Sequence, residues 1–574
     1  MHGYGVSKGL CYAKVLVLNE EAVVFPVEIG SPEEEEKKFL DAQAAVLEET
    51  IRLRDRTNET AGENAADILD VHCSLLKDGG LINPIKEEIA KQTGAALAVE
   101  RVMNEVIEQF EAMENEYFAQ RALDLKDIKD SLIRKILDIE KADISSLPEP
   151  TIIAGRDITP STTAGMDLKM VSGLLMELGG STSHTAILAR TLDIPAVVGV
   201  KDLLSTVKTG DMVGFDGETG EIFLGMNEEE IEALKIKIVK QEKERSKWDM
   251  LSGRPAVTDD GKRFEIYGNI GTPEDAEKVL DRGGEGIGLF RSEFLYLSSK
   301  SLPDEEKQYE AYRKVLEKMG EKPVIVRTLD IGGDKDVPAL RLSKEANPFL
   351  GLRALRLCRQ EEEVFHTQLR ALLKASLYGN LKIMFPMVSS MEELLWAKEK
   401  LKQCQDELRA EKIPYKEKIE IGIMVEIPAV AVMAECFSKE CDFFSIGTND
   451  LTQYTLAVDR GNEKVADLYT YYHPAVIKLI KMAIEGAHKN NIMCGMCGEA
   501  AGDPKMIPLL IGMGLDEYSM AASAIPEVKK WMSRLNTEKC KELAEQILKL
   551  NKATEVEGML CKFYIQNNIE AKER

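Results

Sequence analysis

A regular alternation of short apolar runs and helical segments over about the last 320 residues constrains the fold most strongly. Eight strand-like runs occur in order: FEIYGNI, GIGLF, VIVRTL, KIMFPMV, IGIMVEI, FFSIG, NIMCGMC and EYSM. Helical segments such as EELLWAKEKLKQCQDEL separate them. Eight β/α units over residues 256–574 predict a closed parallel (β/α)8 barrel. An open doubly wound sheet is the alternative that the pattern alone leaves open.

The stretch from Ser31 to Glu140 has almost no glycine or proline, and its apolar residues recur at helical spacing. It opens on the sequence SPEE, in which a capping serine precedes a proline and two acidic residues of a first helical turn. The pattern predicts an all-α subdomain over residues 21–143.

Residues 144–225 have a different texture, with short apolar runs such as TIIAG, VSGLLMEL and DMVGFDG between Gly, Pro and Asp. This texture is typical of an α/β domain. The early run VLVL reads as a strand, so we expect residues 1–20 to complete the same sheet and the helical stretch to be an insertion. A charged segment within residues 226–255 predicts a linker helix ahead of the barrel.

The charge balance bears on possible partners. The 574 residues include 74 basic and 98 acidic side chains, for a net charge of −24. Phosphate backbones and anionic membranes attract clustered Lys and Arg, so we expect no nucleic-acid partner. Residues 31–140 hold 14 basic and 26 acidic side chains, a net charge of −12. This excess is either a solvated helical face or a docking surface for a basic protein.

Targeting signals are not evident in the sequence. No apolar run approaches the roughly 20 residues of a membrane-spanning helix, and the N-terminus lacks the pattern of a signal peptide. The ten cysteines are irregularly spaced, as expected for reduced thiols. We therefore expect a cytoplasmic protein without membrane insertion.

Reactive side chains fall where the predicted barrel strands end. In strand order they are Arg291, Arg327, Glu426, Asn449 with Asp450, and Cys497. Active sites of such barrels lie at the carboxyl ends of the strands. One such residue has an ordinary structural interpretation as half of an ion pair, but a row of alternating basic and acidic residues at one rim predicts a binding site.

The rim residues also predict the chemistry of the ligand. Guanidinium groups match phosphate and carboxylate, so several arginines indicate an anion with more than one charged group, and Arg353 and Arg460 could join them. Glu426 and Asp450 offer hard oxygen ligands that suit Mg²⁺ better than Zn²⁺. A small phosphorylated acid bound with Mg²⁺ fits both features.

Cys494 and Cys497 formally make a CxxC pair. A zinc site would need further Cys or His ligands, and a redox pair would favour a thioredoxin-like setting, so both readings are minor alternatives. Strand alternation would place the two thiols on opposite faces. Cys497, nearer the rim, is then the candidate for proton transfer.

The segment GGSTSHTAILAR, residues 179–190, leads from a Gly-Gly turn into a hydroxyl-rich helix start. His184 then lies in or near the first turn, where backbone N–H groups and the helix dipole favour a neutral ring and added negative charge. Histidines are usually structural, and we read His72, His366, His473 and His488 in that way. The surroundings of His184 suit a phosphoryl group carried on the ring, and the absence of a P-loop motif argues against ATP held in a P-loop as the donor.

Eight motifs in order, GGSTSHTAILAR, LFRSEFL, VIVRTLDIGGDK, NPFLGLRALR, MVEIPA, SIGTNDLTQYTLAVDRGN, GMCGEAAGD and DEYSMAA, resemble the Enzyme I family of the bacterial phosphotransferase system, the phosphoenolpyruvate-protein phosphotransferases. The resemblance spans nearly the whole chain. It implies an α/β phosphohistidine domain with an inserted all-α subdomain, a linker helix and a C-terminal (β/α)8 TIM-like barrel. It also implies transfer of the phosphoryl group of phosphoenolpyruvate to the chain's own histidine and then to the carrier HPr, releasing pyruvate.

The resemblance assigns roles by position. His184 resembles the phosphoryl-accepting histidine, with Thr163 as an orienting hydroxyl, and Cys497 resembles the general acid. Glu426 and Asp450 match the Mg²⁺ ligands. The positions that match the phosphoenolpyruvate-binding set are Arg291, Arg327, Arg353, Asn449 and Arg460.

The resemblance also implies partners. The helical insertion resembles the HPr-docking domain, with Glu63, His72 and Asp78 as weaker candidates for its surface, and the barrel would form a homodimer. Ser181 and Tyr518 depart from residues expected in some relatives, but neither carries an assigned chemical role.

Two rival functions remain at this point. A pyruvate phosphate dikinase or phosphoenolpyruvate synthase would share the histidine motif and the barrel, but it would need an ATP-grasp domain that we do not expect here. A regulatory protein that senses phosphoenolpyruvate without turnover would not need His184, Cys497, Glu426 and Asp450 together.

Overall fold

The computed structural model describes residues 1–18, 25–26, 29–61, 63–112, 116–139, 144, 147–158, 162, 166, 170–179, 185–186, 189, 194–249, 253–297, 301–333, 338–340, 345–460, 462, 464–465 and 468–567. The side chains of residues 56–68, 111–121, 123 and 241–249 lie outside this description. The chain divides into two compact units, residues 1–242 and 243–574.

The first unit contains a seven-stranded sheet. Its strands are β1 (Tyr4–Ser7), β2 (Leu10–Val17), β3 (Thr151–Gly155), β4 (Val171–Met176), β5 (Ala196–Val198), β6 (Met212–Asp216) and β7 (Ile222–Phe223). They lie in the order β1-β5-β4-β3-β2-β6-β7. Strand β2, which contains the VLV of the early apolar run, pairs in parallel with β3 and antiparallel with β6. The prediction that the N-terminal segment completes this sheet is confirmed.

Within the described residues, five helices fall between β2 and β3 in the chain. They are α1 (Pro32–Ala61), α2 (Glu63–Leu75), α3 (Gly79–Ala90), α4 (Ala95–Ala112) and α5 (Glu116–Ile136). Helix α1 begins at the predicted residue: the Glu34 amide donates to the Ser31 hydroxyl, and the Ser31 amide donates to the Glu34 carboxylate. The apolar faces of these helices form a core of their own that includes Phe39, Val99 and Ile128. The helical character predicted for this insertion is confirmed.

Two further helices of this part of the chain are α6 (Leu203–Thr206) and α7 (Glu228–Asp249). Helix α7 is the predicted linker helix, and the division between the two compact units falls within it. Asn227 caps it, because its side chain accepts from the Glu230 amide while its own amide donates to the Glu230 carboxylate. The domain boundaries drawn from the sequence, residues 1–20 with 144–225, 21–143, 226–255 and 256–574, stay predictions.

The second unit is a closed parallel barrel. After the short strand β8 (Ala256–Val257), its strands are β9 (Arg263–Ile270), β10 (Ile287–Arg291), β11 (Pro323–Arg327), β12 (Asn380–Phe385), β13 (Glu420–Val425), β14 (Phe443–Ile446), β15 (Met493–Met496) and β16 (Glu517–Met520). Each strand from β9 to β15 pairs in parallel with the next, and β16 pairs in parallel with β9. The sheet therefore closes, and the open-sheet alternative is excluded.

The helices of the second unit connect these strands and follow them. They are α8 (Asp275–Asp281), α9 (Phe294–Leu297), α10 (Glu305–Met319), α11 (Leu355–Gln360), α12 (Glu362–Ala375), α13 (Met391–Glu411), α14 (Pro428–Val432), α15 (Ala434–Phe437), α16 (Thr448–Leu456), α17 (Pro474–Lys489), α18 (Ile507–Met513), α19 (Ile525–Met532), α20 (Thr537–Ile547) and α21 (Ala553–Gln566). Within the described residues, no helix combines the length and apolar character that a membrane span needs.

The interior of the barrel is filled by side chains rather than open. Leu289, Ile325, Met384 and Phe443 belong to a buried apolar cluster that is separate from the core between strands and outer helices. Gly422 makes room for the Phe443 ring, since a Cβ at residue 422 would lie 2.5 Å from ring atoms. A barrel with a packed interior forms its active site at the carboxyl ends of its strands.

Candidate active site at the barrel rim

The carboxyl ends of β10, β11, β13, β14 and β15 carry the residues singled out in the sequence. Arg291 and Arg327 are the last residues of β10 and β11, and their Cα atoms are register partners. Glu426 and Cys497 directly follow β13 and β15, while Asp450 lies in the first turn of α16 after β14. The closed strand order therefore places these positions around one rim.

Arg327 is buried at this rim between two carboxylates. Its guanidinium lies 2.8 Å from Glu293 Oε1 and 3.0 Å from Asp330 Oδ2. Burial alone would lower the pKa of Arg327, but Glu293 and Asp330 outweigh that effect and raise it. The side chain is therefore a fixed positive charge.

Arg353 is only 2% exposed and forms the second buried cluster of charges. Its Nε and Nη2 donate to the two oxygens of Asp330 at 2.9 and 3.1 Å, and Nη2 also donates to Asp450 Oδ2 at 3.0 Å. Burial would lower its pKa, but Asp330 and Asp450 raise it overall. Asp330 thus binds both arginines and joins the two clusters into one network.

Glu293 and Asp330 are site residues that the sequence pattern did not predict. They lie in the motifs RSE, at the end of β10, and LDIGG, after β11. The sequence feature that could have indicated both residues is an acidic side chain within a few positions of a predicted site arginine. Only the fold shows that both carboxylates are buried and pair with Arg327.

Glu426 and Asp450 were predicted to hold a cation, and their surroundings fit one. Glu426 Oε1 accepts from the Met387 amide, whereas the buried Asp450 Oδ1 has no hydrogen-bond partner among the residues that the structure describes. Burial, followed by the nearby carboxylates of Asp450 and Asp330, raises the pKa of Glu426 to about 8. Crowded carboxylates with an unshared oxygen are the hard donor set that a divalent cation such as Mg²⁺ prefers.

Arg291, Asn449 and Arg460 line the more accessible part of the rim. The pKa of Arg291 is lowered by the surrounding protein, which removes water from around its guanidinium, and by the positive charge of the neighbouring Arg327. Part of the Arg291 side chain still reaches solvent at the rim of the barrel. Asn449 is fixed by Glu499, whose amide donates to Asn449 Oδ1 at 3.0 Å. The backbone amide of Arg460 donates to Gln453 Oε1 at 3.1 Å, which ties its loop to helix α16.

Cys497 lies beneath the rim, 4% exposed, within the apolar interior of the barrel. Its Sγ donates to the Ile446 carbonyl at 3.9 Å. Burial raises the pKa of the thiol to about 12, so that it stays protonated at neutral pH. Cys494 packs on the other side of the strand, in the core that faces the helices. The prediction that the two thiols lie on opposite faces is confirmed.

The predicted phosphohistidine motif is described only in part. His184 and Thr163 lie outside the described residues. Next to His184, Thr185 is buried and its hydroxyl donates to Asp157 Oδ1 at 2.8 Å. Gly179 has a φ of +101°, which a turn after β4 requires and which glycine adopts without strain.

The weaker candidates for a docking surface differ among themselves. His72 is buried, with Nε2 lying 3.2 Å from Asp124 Oδ1, which supports its structural reading and removes it from the surface. Asp78 caps helix α3 by accepting from the Gly80 amide. The side chain of Glu63 lies outside the described residues.

Comparison with protein families agrees with this geometry. A family model described as "PEP-utilising enzyme, PEP-binding domain" matches residues 245–537, which include the whole barrel. Models described as "PEP-utilising enzyme, N-terminal" and "PEP-utilising enzyme, mobile domain" match residues 2–121 and 147–220. Fold and rim together thus define a phosphoenolpyruvate-utilising enzyme.

Individual relatives narrow this class. The phosphoenolpyruvate-protein phosphotransferase of Bacillus subtilis is 43% identical over 97% of this chain and 98% of its own. The protein of the same name from Listeria monocytogenes is 43% identical over 98% of this chain and 99% of its own. The chain belongs to the phosphoenolpyruvate-protein phosphotransferase family. A solution structure of an Enzyme I protein is 34% identical and covers 42% of this chain and 99% of its own, with a TM-score of 0.38.

Proposed function

We propose that this enzyme transfers the phosphoryl group of phosphoenolpyruvate to His184 and from there to the carrier protein HPr, with release of pyruvate. This is the first step of the sugar phosphotransferase system. The observation that carries the proposal is the rim itself. There, two buried arginines share Asp330, an unshared carboxylate oxygen belongs to Asp450, and a protonated thiol lies in the barrel interior at the end of β15.

Phosphoenolpyruvate carries a phosphate and a carboxylate, so it needs cationic groups in more than one place. Arg327 and Arg353 are fixed by their carboxylate partners and need little reorganisation on binding. Arg291 and Arg460 offer guanidinium groups on the more accessible side, and Asn449 offers an amide. Together these five residues would hold and orient the substrate.

Glu426 and Asp450 would hold Mg²⁺, which when bound supplies neutralisation of the charge on the phosphoryl group. Arg353 already binds Asp450 Oδ2, which directs the unshared Oδ1 away from the guanidinium. The Met387 amide fixes one oxygen of Glu426 in the same way. Both carboxylates are thus oriented before a ligand arrives.

Two chemical steps depend on the protein's own side chains: attack on phosphorus and protonation of enolpyruvate. Neutral His184, oriented by Thr163, attacks phosphorus in line with the enolate oxygen. Cys497 then protonates enolpyruvate at carbon, and a thiol whose pKa is about 12 has its proton available at neutral pH. The buried position of Cys497 keeps the thiol shielded from bulk water.

Delivery of the phosphoryl group requires a second site. We assign carrier docking to the helical insertion, because its net charge of −12 would attract a basic partner. One histidine that serves two sites requires its domain to move, and helix α7 is where we expect the hinge. A cytoplasmic location and a homodimer formed through the barrel complete the proposal.

Labelling with phosphoenolpyruvate tests this function. The full chain, incubated with Mg²⁺ and substrate carrying a labelled phosphoryl group, should form an acid-labile, base-stable phosphoprotein and pass the label to purified HPr. His184→Gln should abolish labelling, while His473→Gln, a matched change at a helix cap, should retain it. Labelling of the His184→Gln protein at the parental level contradicts the proposal.

A further inference from the structure

A second buried acid lies inside the barrel close to Cys497. Glu517, the first residue of β16, is 0% exposed, and within the described part of the chain neither of its carboxyl oxygens has a hydrogen-bond partner of ordinary geometry. Two glycines of other strands make space for it. A Cβ at Gly495 would lie 1.9 Å from Glu517 Oε2, and a Cβ at Gly288 would lie 2.6 Å from Oε1. The carboxyl group therefore lies in the space between β10, β15 and β16.

The Glu517 carboxyl lies beside Gly495, which is two residues before Cys497 in the chain. Gly495 and Cys497 are two residues apart, so they face the same side of β15. Ser445 is the register partner of Gly495 on β14. Among the described residues its buried hydroxyl has no hydrogen-bond partner of ordinary geometry, yet it approaches Cys497 closely enough to favour the thiolate. Gly495 is the register partner of both Ser445 and Glu517 and has no side chain to separate them, so the Ser445 hydroxyl can pass a proton from the carboxyl to the thiol.

The other side of Glu517 leads toward solvent. Its register partner on β9 is Glu265, which is exposed and accepts from the Tyr267 hydroxyl. The charged groups that act on Glu517 are Glu265 and Asp516, which favour its neutral form, and Lys382, which opposes them. The interior of the barrel therefore holds ionisable groups from its amino-terminal end up to the thiol.

A structural role does not account for this carboxyl. Apart from its contact with the Met496 amide, this carboxyl has no partner among the described residues, and its burial costs free energy that an apolar side chain of similar size would avoid. Burial raises the pKa of Glu517 well above its ordinary value, and Glu265 adds to the effect although the nearby Met496 amide opposes it. The group is held as a neutral acid, which is the form that can donate a proton.

We propose that Glu517 resupplies the proton of Cys497 from solvent at the amino-terminal end of the barrel. This inference rests on the proposed role of Cys497 as the acid that protonates enolpyruvate. The Cys497 S–H bond breaks as a C–H bond forms at the methylene carbon, and pyruvate and a thiolate result. The thiolate takes a proton from the Glu517 O–H through the Ser445 hydroxyl, and the carboxylate then regains one from water beside Glu265.

Hydrogen exchange into pyruvate isolates this step from phosphoryl transfer. The full-length enzyme is incubated with pyruvate and Mg²⁺ in D₂O, and the deuterium content of the methyl group is followed by mass spectrometry. In the reverse of the proposed step, the Cys497 thiolate, formed when its proton passes through Ser445 to the Glu517 carboxylate, removes a proton from the pyruvate methyl group and leaves the enolate. With the relay intact, the resulting thiol exchanges that proton for a deuteron while the enolate stays bound, so doubly and triply deuterated pyruvate appears early. In Glu517→Gln the same proton returns to carbon, and exchange should fall at least about tenfold.

Three measurements distinguish the proposed relay from a structural role of Glu517 and from a failure of the proposed role of Cys497. Glu517→Gln should label His184 from phosphoenolpyruvate within about twofold of the parent, because only the relay is changed; a parallel loss of labelling and exchange marks a structural role and overturns the relay. Parental exchange in Glu517→Gln also overturns it. Cys497→Ser should lose exchange altogether, and if it does not, the proposed role of Cys497 fails instead.

A second variant at the solvent end protects the test against misfolding of Glu517→Gln. Glu265 is exposed, and Glu265→Gln keeps an acceptor for Tyr267. This variant should slow exchange several-fold and remove the early multiply deuterated pyruvate. An unchanged exchange pattern would show that protons reach the thiol from the rim, and the proposal would then be wrong.

Discussion

The barrel rim and the helical insertion are both rich in acidic side chains, but the two regions place them in opposite environments. At the rim, Asp330 and Glu293 are almost fully buried and bind guanidinium groups at 2.8 to 3.1 Å. On the insertion, pairs such as Arg52–Glu48 and Arg54–Asp70 lie at the surface. Acidic residues therefore hold arginine side chains in position at the rim, whereas on the insertion they create a negative electrostatic potential at the surface.

The physical difference is the cost of leaving a charge unpaired. A buried ion loses its hydration, so removing its partner is expensive, whereas an exposed ion is rehydrated at once. The rim should therefore respond to single substitutions with large, local effects. Substitutions on the insertion should have small effects, and these effects should weaken as the ionic strength rises.

The largest effect is expected from Asp330→Asn. This change leaves Arg327 and Arg353 each with one partner fewer, and breaking a buried pair typically costs about 3–5 kcal/mol. All three tryptophans, at residues 248, 396 and 531, belong to the second unit, so their fluorescence reports its unfolding. The midpoint of that transition should fall clearly.

The matched change on the insertion is Asp70→Asn, which removes one exposed partner of Arg54. Calorimetry should show a much smaller loss of stability than Asp330→Asn causes, because exposed ion pairs contribute little. If the two variants lose similar stability, the contrast between buried and exposed networks is wrong.

A smaller effect is expected from Arg291→Gln at the mouth of the rim. Arg291 is exposed, and among the described residues it forms no ion pair, so its loss should leave the unfolding midpoint nearly unchanged. A hydrogen bond to a charged group is worth about 1.5–3 kcal/mol, which predicts a KM for phosphoenolpyruvate raised roughly 10- to 100-fold. Arg313→Gln, on the outer helix α10, should leave KM at the parental value; equal KM values in both variants would place the substrate elsewhere.

Alkaline pH should distinguish the buried thiol from an exposed one. The pKa of Cys497 is raised from near 9 to about 12, so above pH 9 the unfolded chain loses a proton that the folded chain keeps. The unfolded state then binds fewer protons, and the free energy of unfolding falls as pH rises, by at most about 1.4 kcal/mol per pH unit for this thiol.

Relative to Cys497→Ser, the parent should therefore lose stability between pH 9 and pH 11, as thermal unfolding across that range would show. The exposed Cys436 provides the control, and Cys436→Ser should follow the parent. Parallel curves for the parent and Cys497→Ser would mean that the thiol ionises normally in the folded protein.

The smallest effect is expected on the insertion. Glu105 and Glu108 are exposed on helix α4, and replacing both with Gln removes two charges from the attractive field. Phosphoryl transfer to HPr should slow about two- to fivefold at low ionic strength and recover its parental rate at high salt. The same change at Glu538 and Glu542 of helix α20 should have no effect; if it slows transfer equally, the field of the insertion is not responsible.

Local patterns in the sequence account for much of the fold. All eight barrel strands lie within the predicted apolar runs or extend one or two residues beyond them. The prediction succeeds because a strand that is buried on both faces has a continuous run of apolar residues. Ser31 begins its helix as the capping pattern predicted, and Asn227 caps the linker helix through the same kind of local contact. These features depend on residues within a few positions of each other, which a sequence displays directly.

The pairing at the rim could not be read in the same way. Arg353 lies 97 residues before Asp450, and Glu293 lies 34 residues before Arg327, so their contacts depend on closure of the barrel. The sequence identified the arginines as ligands for an anion but not as partners of Asp330. The orphaned carboxyl of Glu517 was equally invisible, because its position in EYSM marks only a strand.

The sharing of Asp330 has a consequence for selectivity. Because one carboxylate holds both Arg327 and Arg353, the two guanidinium groups keep a fixed separation before any ligand binds. A molecule whose two anionic groups match that separation can contact both arginines at once, whereas a molecule with one anionic group can contact only one of them. The shared aspartate therefore predicts that compounds with two anionic groups bind better than compounds with one.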